Sequence, residues 1–317
     1  MPMPKCSFVG NALSVEKLEE TLPIICDQDT SFDAQKWTQE NPLYGHCGVV
    51  TTIAHDLLGG KIIEGWLKGS TRKETMDAIF DGKGDPKKEY LLHLWNERSD
   101  GERHDFTRKQ FGDHYPDLIG EPVTREYVLS FAPTIQRYRT LAWRLFTQRF
   151  PTMPLSNDPL YEQCFRESLL SDCENMRFGS VIVLNGEIVA RGTNMRNKLL
   201  QCCDPVCFRR NVKVPFWSPL GCDHAEETAL WNLLNDEKVP KDAHKDCDIY
   251  IAGFSTDHRP WMKEEPNHTC MRCSPQMYRA KVRKILVPVE GDWGEMTPEQ
   301  AVQTAKEYMR LEEHNPY

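Results

Sequence analysis

The sequence predicts an α/β protein in which a smaller α+β domain precedes a C-terminal α/β/α sandwich with a mixed sheet. The first observation is the length of 317 residues, which corresponds to about two domains at roughly 150 residues each. The second is that strand-like and helical stretches alternate in the C-terminal half, as in sheets covered on both faces. The third is that the pattern of helical and strand-like stretches changes between the two halves. We therefore expect domains at 1–130 and 159–317, with a helical connection over 131–158.

Helices and one hairpin are predicted for the N-terminal part. The three helical stretches are Ser14–Ile25, an apolar run that ends at Leu58, and a periodic stretch that begins at Pro133. Gly59 and Gly60 end the second stretch, because paired glycines commonly follow a helix. The strand-like runs 90–96 and 102–107 flank Ser99-Asp100-Gly101, which is a hairpin signal. This combination indicates an α+β unit.

The C-terminal part is predicted to run helix, strand, strand, long loop, helix, strand, helix, strand, helix. The elements are Leu160–Asp172, Phe178–Leu184, Glu187–Gly192, Cys222–Leu234, Ile249–Phe254, Ser274–Ala280, Lys284–Val289 and a last helix that Thr297 caps. Asn185-Gly186 supplies the turn between the first two strands. Strands separated by helices favour a parallel or mixed sheet.

Charge and hydropathy argue against binding of long nucleic acids and against a membrane or secreted protein. The chain carries 39 Lys+Arg against 47 Asp+Glu, a net charge of -8, whereas proteins that bind long nucleic acids usually carry an excess of cations. No apolar run approaches the ~20 residues that cross a bilayer, and no apolar segment of a signal peptide follows the start. We therefore expect a cytoplasmic protein that has no membrane contact and acts on small molecules.

The chain contains 12 cysteines, and their clustering indicates metal or thiol chemistry rather than a secreted disulfide framework. Six lie in one 72-residue stretch: Cys202, Cys203, Cys207, Cys222, Cys270 and Cys273. The scattered ones, which are expected to be packed thiols, are Cys6, Cys26, Cys164, Cys173 and Cys247.

The strongest functional signal is His224-Ala225-Glu226 together with Cys270-Met271-Arg272-Cys273. One imidazole and two thiolates give Zn²⁺ three protein ligands and leave a fourth position for water, as in catalytic zinc sites. Zinc lowers the pKa of that water towards ~7. Glu226 is then placed to move protons without being a ligand. A closed structural zinc with a fourth cysteine is the alternative. Both helices that carry the ligands are expected to begin at the metal.

These residues resemble the zinc-dependent cytidine/deoxycytidylate deaminase superfamily, whose pattern is H-x-E followed by P-C-x-x-C. The resemblance covers roughly 160–289, and it implies a cytidine-deaminase-like sandwich in which Asn194 and Ala225 contact the substrate. The chain departs from the pattern at Thr269, where the family usually has proline, and in an insertion expected over 257–267.

The cysteines that precede His224 resemble those of deoxycytidylate-deaminase-like members that carry a second structural zinc. The resemblance implies a second metal site drawn from Cys202, Cys203, Cys207 and Cys222. A set of buried thiols is the alternative, because two adjacent cysteines rarely bind the same ion.

A second candidate catalytic group lies in the N-terminal part. Cys47 begins an apolar helical stretch, and a helix N-terminus favours the thiolate. His93 and Asp105 occupy the two arms of the predicted hairpin and complete a nucleophile, a base and an orienting acid. The order is similar to that of transglutaminase-like and arylamine acetyltransferase-like enzymes. The local sequence, from Asn41-Pro42 to Gln110-Phe111, more closely resembles the bacterial YunG family. A packed cysteine is the alternative.

The leading hypothesis is therefore a zinc-dependent hydrolytic deaminase that removes an exocyclic amine from a nucleobase, nucleoside or nucleotide. A bifunctional enzyme with an N-terminal cysteine-dependent amidohydrolase or acyl transferase is a second hypothesis. A deaminase that edits bases in nucleic acid is a third, and a binding or assembly protein with a structural zinc is a fourth. Deaminases of this type often assemble, so a homo-oligomer is also expected. The substrate depends on pocket shape, which the motif does not specify.

Overall fold

The structure is a computed structural model, which describes residues 6–173, 175–196, 222–240, 242–268 and 270–314. The chain divides into two compact units. One comprises Ala12–Arg149, and the other comprises Met1–Asn11 and Phe150–Tyr317. This division differs from the expected boundaries at both ends. Residues 132–149 pack within the first unit instead of forming a separate connection. The strand β1 (Cys6–Phe8) pairs with a strand of the second unit.

The unit Ala12–Arg149 combines five helices with a small sheet among its described residues. The helices are α1 (Val15–Ile25), α2 (Cys47–Leu58), α3 (Arg72–Asp81), α4 (Arg125–Leu129) and α5 (Ala132–Arg149). The strands are β2 (Lys61–Leu67), β3 (Leu92–Glu97), β4 (Arg103–His104) and β5 (Leu118–Val123). They form an antiparallel sheet in the order β4-β3-β2-β5. The predicted α+β unit is confirmed, while α3, α4, β2 and β5 are additions to the prediction.

Helix α2 is the most deeply buried helix of this unit and is fixed on two sides. Towards the sheet, the hydroxyl of Thr51 donates to the carbonyl of Leu94 at 3.1 Å, and the amide of Asn96 donates to the carbonyl of Thr51 at 3.1 Å. Towards α4, the buried guanidinium of Arg125 donates to Asp56 at 2.8 Å. A buried ion pair is strongly destabilised when one partner is removed, so these contacts set the position of α2 and of the residue that begins it.

The second unit is a seven-stranded mixed sheet with helices on both faces, as the sequence predicts. Besides β1, its strands are β6 (Met176–Leu184), β7 (Glu187–Thr193), β10 (Asp248–Ser255), β11 (Pro260–Lys263), β12 (Lys284–Val289) and β13 (Asp292–Met296). The order is β1-β11-β12-β10-β6-β7, and β13 pairs with β12. Only the β10–β12 and β11–β12 pairs are parallel among the described strands. A separate ribbon joins β8 (Met195–Arg196) to β9 (Cys222–Asp223).

Four helices of this unit are described: α6 (Pro159–Ser168), α7 (Ala225–Asn235), α8 (Cys273–Ala280) and α9 (Pro298–His314). Two glycines on adjacent strands allow α6 and α7 to approach the sheet closely. A Cβ at Gly179 would lie 1.9 Å from the carbonyl oxygen of Cys164 in α6, and one at Gly192 would lie 2.2 Å from that of Ala225 in α7. Any side chain at Gly192 would displace α7, which begins at the candidate site.

No described helix of the chain is long and apolar enough to cross a lipid bilayer.

Candidate active site

His224 is positioned by the start of α7. It is the N-cap residue, with extended backbone angles of φ -88° and ψ 152°, and not a residue of the first turn as the sequence analysis expected. The reason lies in the preceding strand β9, which holds the chain extended up to His224. The backbone N–H of His224 donates to the carboxylate of Glu227 at 3.2 Å, as in a capping box.

The two cysteines meet His224 from the start of α8. Cys273 is the first residue of that helix, and Cys270 lies three residues before it. The Nδ1 atom of His224 lies 3.3 Å from the sulfur of Cys270 and 3.2 Å from that of Cys273. All three donor atoms lie within 4.8 Å of one another. Tetrahedral zinc with ordinary bond lengths needs N···S separations of about 3.5 Å, so the donor set fits Zn²⁺ in type and spacing.

The two cysteines differ in protonation, because burial and the neighbouring Cys270 raise the pKa of the Cys273 thiol. Hydrogen bonds from Cys273 and His224 hold the pKa of the Cys270 thiol at about 4, although burial opposes the shift. A thiolate is the form that binds a metal. The three side chains therefore present a charged sulfur ligand at neutral pH.

Arg272, which lies between the two cysteines, joins the two ligand-bearing segments. Its Nε donates to the carboxylate of Glu227 at 2.6 Å, and its Nη1 donates to the carbonyl of Cys222 at 3.1 Å. Gln276 also donates to Glu227. One carboxylate in the first turn of α7 thus ties the cysteine segment to the helix that His224 caps. Neither residue was predicted from the sequence, although Glu227 directly follows the first motif and Arg272 lies inside the second.

Glu226 is buried beside the metal ligands and is held by a histidine that the sequence analysis also missed. The Nε2–H of His268 donates to Glu226 at 2.9 Å, and the hydroxyl of the fully buried Ser274 lies 2.8 Å from Nδ1 of His268. Because Ser274 is available to donate to Nδ1, Nε2 is assigned as the protonated nitrogen. Burial raises the pKa of Glu226, but the hydrogen bond from His268 outweighs it and sets the pKa at about 2. The carboxylate is ionised and oriented.

The two residues that the resemblance assigned to substrate contact have structural partners. The amide of Asn194 accepts from the backbone N–H of Phe178 at 2.6 Å and donates to the carbonyl of Met176 at 2.9 Å. Both partners lie in β6, and one hydrogen of the amide nitrogen is left for another acceptor. Ala225 is fully buried as the first residue of α7. A substrate contact by either residue stays a prediction.

Of the four cysteines predicted to form a second metal site, only Cys222 lies among the described residues. Cys202, Cys203 and Cys207 lie outside the described residues, and so does Thr269. Cys222 is buried beside Cys173, which the sequence analysis placed among the scattered packed thiols. The hydrogen bond from Cys222 lowers the pKa of the Cys173 thiol to about 6. The second metal stays a prediction, and Cys173 joins its candidate ligands.

In the unit Ala12–Arg149, the structure brings the predicted thiol, imidazole and carboxylate into one cluster. Cys47 is the first residue of α2, His93 lies in β3, and Asp105 directly follows β4. The Nε2 of His93 donates to Asp105 at 2.7 Å. His93 also interacts with the Cys47 thiol, and this interaction shifts the pKa values of both groups.

Comparison with known families finds one match for each half of the chain. The family described as cytidine and deoxycytidylate deaminase zinc-binding region matches residues 156–289, and the family described as YunG protein matches residues 14–149. A search of curated proteins finds no match. The first match identifies Zn²⁺ as the cofactor of the region in which His224, Cys270 and Cys273 converge. Each half of the chain is therefore similar to a different family, the first to the YunG proteins and the second to the zinc-binding region of the cytidine and deoxycytidylate deaminases.

Proposed function

We propose that the C-terminal unit is a hydrolytic deaminase that replaces the exocyclic amine of a nucleobase, nucleoside or nucleotide with oxygen. The observation that carries the proposal is the convergence of His224, Cys270 and Cys273 next to a buried, oriented Glu226. A structural zinc site needs no such carboxylate, since it is closed by four protein ligands. Among the described residues, three side chains offer ligand atoms for the metal. Three protein ligands are typical of catalytic zinc sites.

His224, Cys270 and Cys273 would hold the metal. When bound, zinc makes water a competent nucleophile near neutral pH.

Glu226 carries the protons in this proposal. Its carboxylate accepts a proton as water adds to the ring carbon that bears the amine, and it then donates that proton to the ring nitrogen. A second transfer through Glu226 protonates the leaving amine. The C–N bond breaks, ammonia departs and the ring carbon keeps the oxygen. One residue can serve each transfer because the carboxylate is ionised at the start and is buried beside the metal ligands.

His268 acts on this reaction through Glu226. Its Nε2–H fixes one carboxylate oxygen, so that the other oxygen stays directed at the reacting groups. Ser274 fixes the ring in turn from inside α8. We class His268 as a positioning residue, because its contact in the structure is to Glu226.

A free small substrate is favoured over a polymer by the net charge of -8. The eight cysteines whose side chains the structure describes are free thiols, which fits a reducing compartment such as the cytoplasm. Base editing in nucleic acid is the competing activity, since related pockets accept a flipped base.

The test is ammonia release from a panel of cytidine, deoxycytidylate, adenine and guanine compounds, with a single-stranded oligonucleotide as the polymer arm. We expect Glu226→Gln to keep its zinc and fold and to lose about 10²- to 10⁴-fold in turnover. The exposed Glu237 of the same unit provides the matched control, and Glu237→Gln should behave as the wild type. Turnover by Glu226→Gln at the wild-type rate would reject the proposed role of Glu226.

A further inference from the structure

We propose that the unit Ala12–Arg149 contains a second catalytic centre, a thiol-dependent amidase or acyl transferase. In it Cys47 is the nucleophile, His93 is the base and Asp105 orients the base. The acyl substrate carries a negatively charged group close to its reacting carbonyl, and Arg137 binds that group.

The position of Cys47 in the fold suits a nucleophile. Cys47 is the first residue of α2, where backbone N–H groups have no carbonyl partner within the helix. Gly45, two residues earlier, has φ +74°, and a Cβ there would lie 2.4 Å from the hydroxyl of Ser31. This tight turn presents Cys47 at the edge of the helix. The residue Cys47 is half-buried and not fully enclosed.

The neighbouring histidine, His46, is excluded as the base. It is fully buried, its Nδ1–H donates to the carbonyl of Tyr44 at 2.9 Å, and its Nε2 lies 2.9 Å from the hydroxyl of Thr30. Burial lowers the pKa of His46 to about 4. Both ring nitrogens are used to fix the turn, so His46 stays neutral and structural.

His93 reaches Cys47 because α2 is fixed against β3. Thr51 lies one helical turn after Cys47 and therefore on the same face. Its hydroxyl and carbonyl bond to Leu94 and Asn96, the residues that follow His93 in β3. Cys47 also packs against the buried cluster to which Leu94 belongs. A side-chain hydrogen bond joins the His93 imidazole to the Cys47 thiol.

Asp105 is bound as an orienting carboxylate. One oxygen accepts from His93 at 2.7 Å and from the hydroxyl of Tyr115 at 2.6 Å. The other accepts from the backbone N–H and the hydroxyl of Thr107, at 3.0 and 3.1 Å. Four donors keep this buried carboxylate ionised and hold Nε2 of His93, which leaves Nδ1 for the thiol. A histidine that served packing alone would not need this set of donors.

The charges agree with this geometry. Burial lowers the pKa of His93, but its bonds to Asp105 and Cys47 outweigh burial and raise the pKa to about 9. Burial raises the pKa of the Cys47 thiol, but the bond to His93 outweighs it, and the pKa lies below its ordinary value. The pair therefore favours a thiolate beside an imidazolium at neutral pH.

Gln110 supplies a donor for the oxygen of the reacting carbonyl. Its side-chain oxygen accepts from the backbone N–H of Gly45 at 3.4 Å, and its Nε2 lies 3.4 Å from Nδ1 of His93. The amide group is thus fixed beside the nitrogen that serves the thiol. Together with the backbone N–H of Cys47, it forms the pair of donors that stabilises a developing oxyanion.

Arg137 defines the substrate class. Its Nη1 donates to the carbonyl of Gly45 at 3.4 Å, its Nη2 donates to the hydroxyl of Thr134 at 3.1 Å, and its guanidinium lies over the ring of Phe32. It interacts electrostatically with Cys47. A half-buried cation at the thiol favours an anionic substituent on the acyl group, such as a carboxylate.

The proposed reaction conserves atoms and charge. The Cys47 thiolate attacks the carbonyl carbon and a C–S bond forms, while the His93 imidazolium donates a proton to the leaving amine and the C–N bond breaks. Water, or an acceptor amine, then attacks the thioester. His93 takes the proton of the attacking group, and the Cys47 thiolate is released.

The first experiment compares labelling of the folded full-length protein by iodoacetamide and iodoacetate, with each cysteine followed by peptide mass spectrometry. We expect Cys47 to react first, and Asp105→Asn to slow its labelling about tenfold or more. We expect Arg137→Gln to lower the ratio of the iodoacetate rate to the iodoacetamide rate. Lys109→Gln, at an exposed position of the same unit, removes the same charge and should leave the ratio unchanged.

The second experiment measures acylation with two p-nitrophenyl esters of similar size, the anionic monoester of glutaric acid and the neutral butyrate. We expect a burst of p-nitrophenolate with the anionic ester and the matching acyl adduct on Cys47. The catalytic centre would be overturned if Cys47 of the native protein were labelled slowly and Asp105→Asn left the labelling rate unchanged. The proposal of an anionic substrate would be overturned if the ratio of the two acylation rates were the same in the wild type and in Arg137→Gln. Thermal unfolding of each variant identifies any change that results from loss of fold.

Discussion

The contact between Glu226 and His268 makes the deaminase proposal testable at a single residue. We expect His268→Ala to lower kcat about 10- to 100-fold with little change in KM, because partners of this kind orient the reacting group and do not bind substrate. His268→Asn should recover part of the loss, since its amide can still donate to the carboxylate. Steady-state kinetics on the best panel substrate provide the measurement. A change confined to KM would instead indicate direct substrate contact by His268.

The pH dependence of Cys47 alkylation follows from the charges that surround the thiol. Its pKa is lowered and that of His93 is raised to about 9. His93, Asp105 and Arg137 are the groups that act on it, while His46 is neutral. The alkylation rate should therefore rise at a lower pH than for an ordinary thiol, as the thiolate forms beside the His93 imidazolium, and change again near pH 9 when His93 loses its proton. Iodoacetamide rates at Cys47 from pH 5 to 10 test this, and a single rise near pH 9 would contradict the ion pair.

At the scale of elements, the zinc site depends on how α7 meets the segment that leads into α8. Arg272 joins them through Glu227 and the carbonyl of Cys222. We expect Arg272→Met to weaken zinc binding about 10- to 100-fold, because the ligands lose their mutual alignment. Competition with a colorimetric chelator measures the affinity. Arg279→Met, at an exposed position of α8, is the control and should retain wild-type affinity.

At the scale of the whole molecule, zinc should stabilise the unit that binds it. A ligand present at about 1,000 times its Kd stabilises the native state by roughly 4 kcal/mol. Removal of zinc by a chelator should lower the melting temperature and increase hydrogen exchange in residues 222–235 and 270–280. Restored zinc, but not magnesium, should reverse both effects, because the donor set is one nitrogen and two sulfurs. Exchange that stays unchanged in these segments would contradict a zinc bound at His224, Cys270 and Cys273.

Both the metal ligands and most helices were predictable from local sequence. His224 and Glu226 are two residues apart, and Cys270 and Cys273 are three apart, so each pair is set by the geometry of one segment. The helix starts carry local signals too, such as Ser14, whose side chain accepts the backbone N–H of Lys17. Short strands such as the edge strand β1 and its neighbour β11 were missed, because the pairing between them joins residues far apart in the chain.

The sequence by itself determined which groups can act, namely three metal ligands, one carboxylate and the order of Cys47, His93 and Asp105. Only the tertiary structure decided what orients them. His268 lies 42 positions from Glu226, and Arg272 lies 45 from Glu227, distances at which no local pattern marks a contact. It also showed that the amide of Asn194 is bonded to β6 and that Arg137 donates to the carbonyl of Gly45, two residues before Cys47. The physical reason is that a motif specifies chemistry through covalent spacing, whereas orientation comes from hydrogen bonds between separate elements.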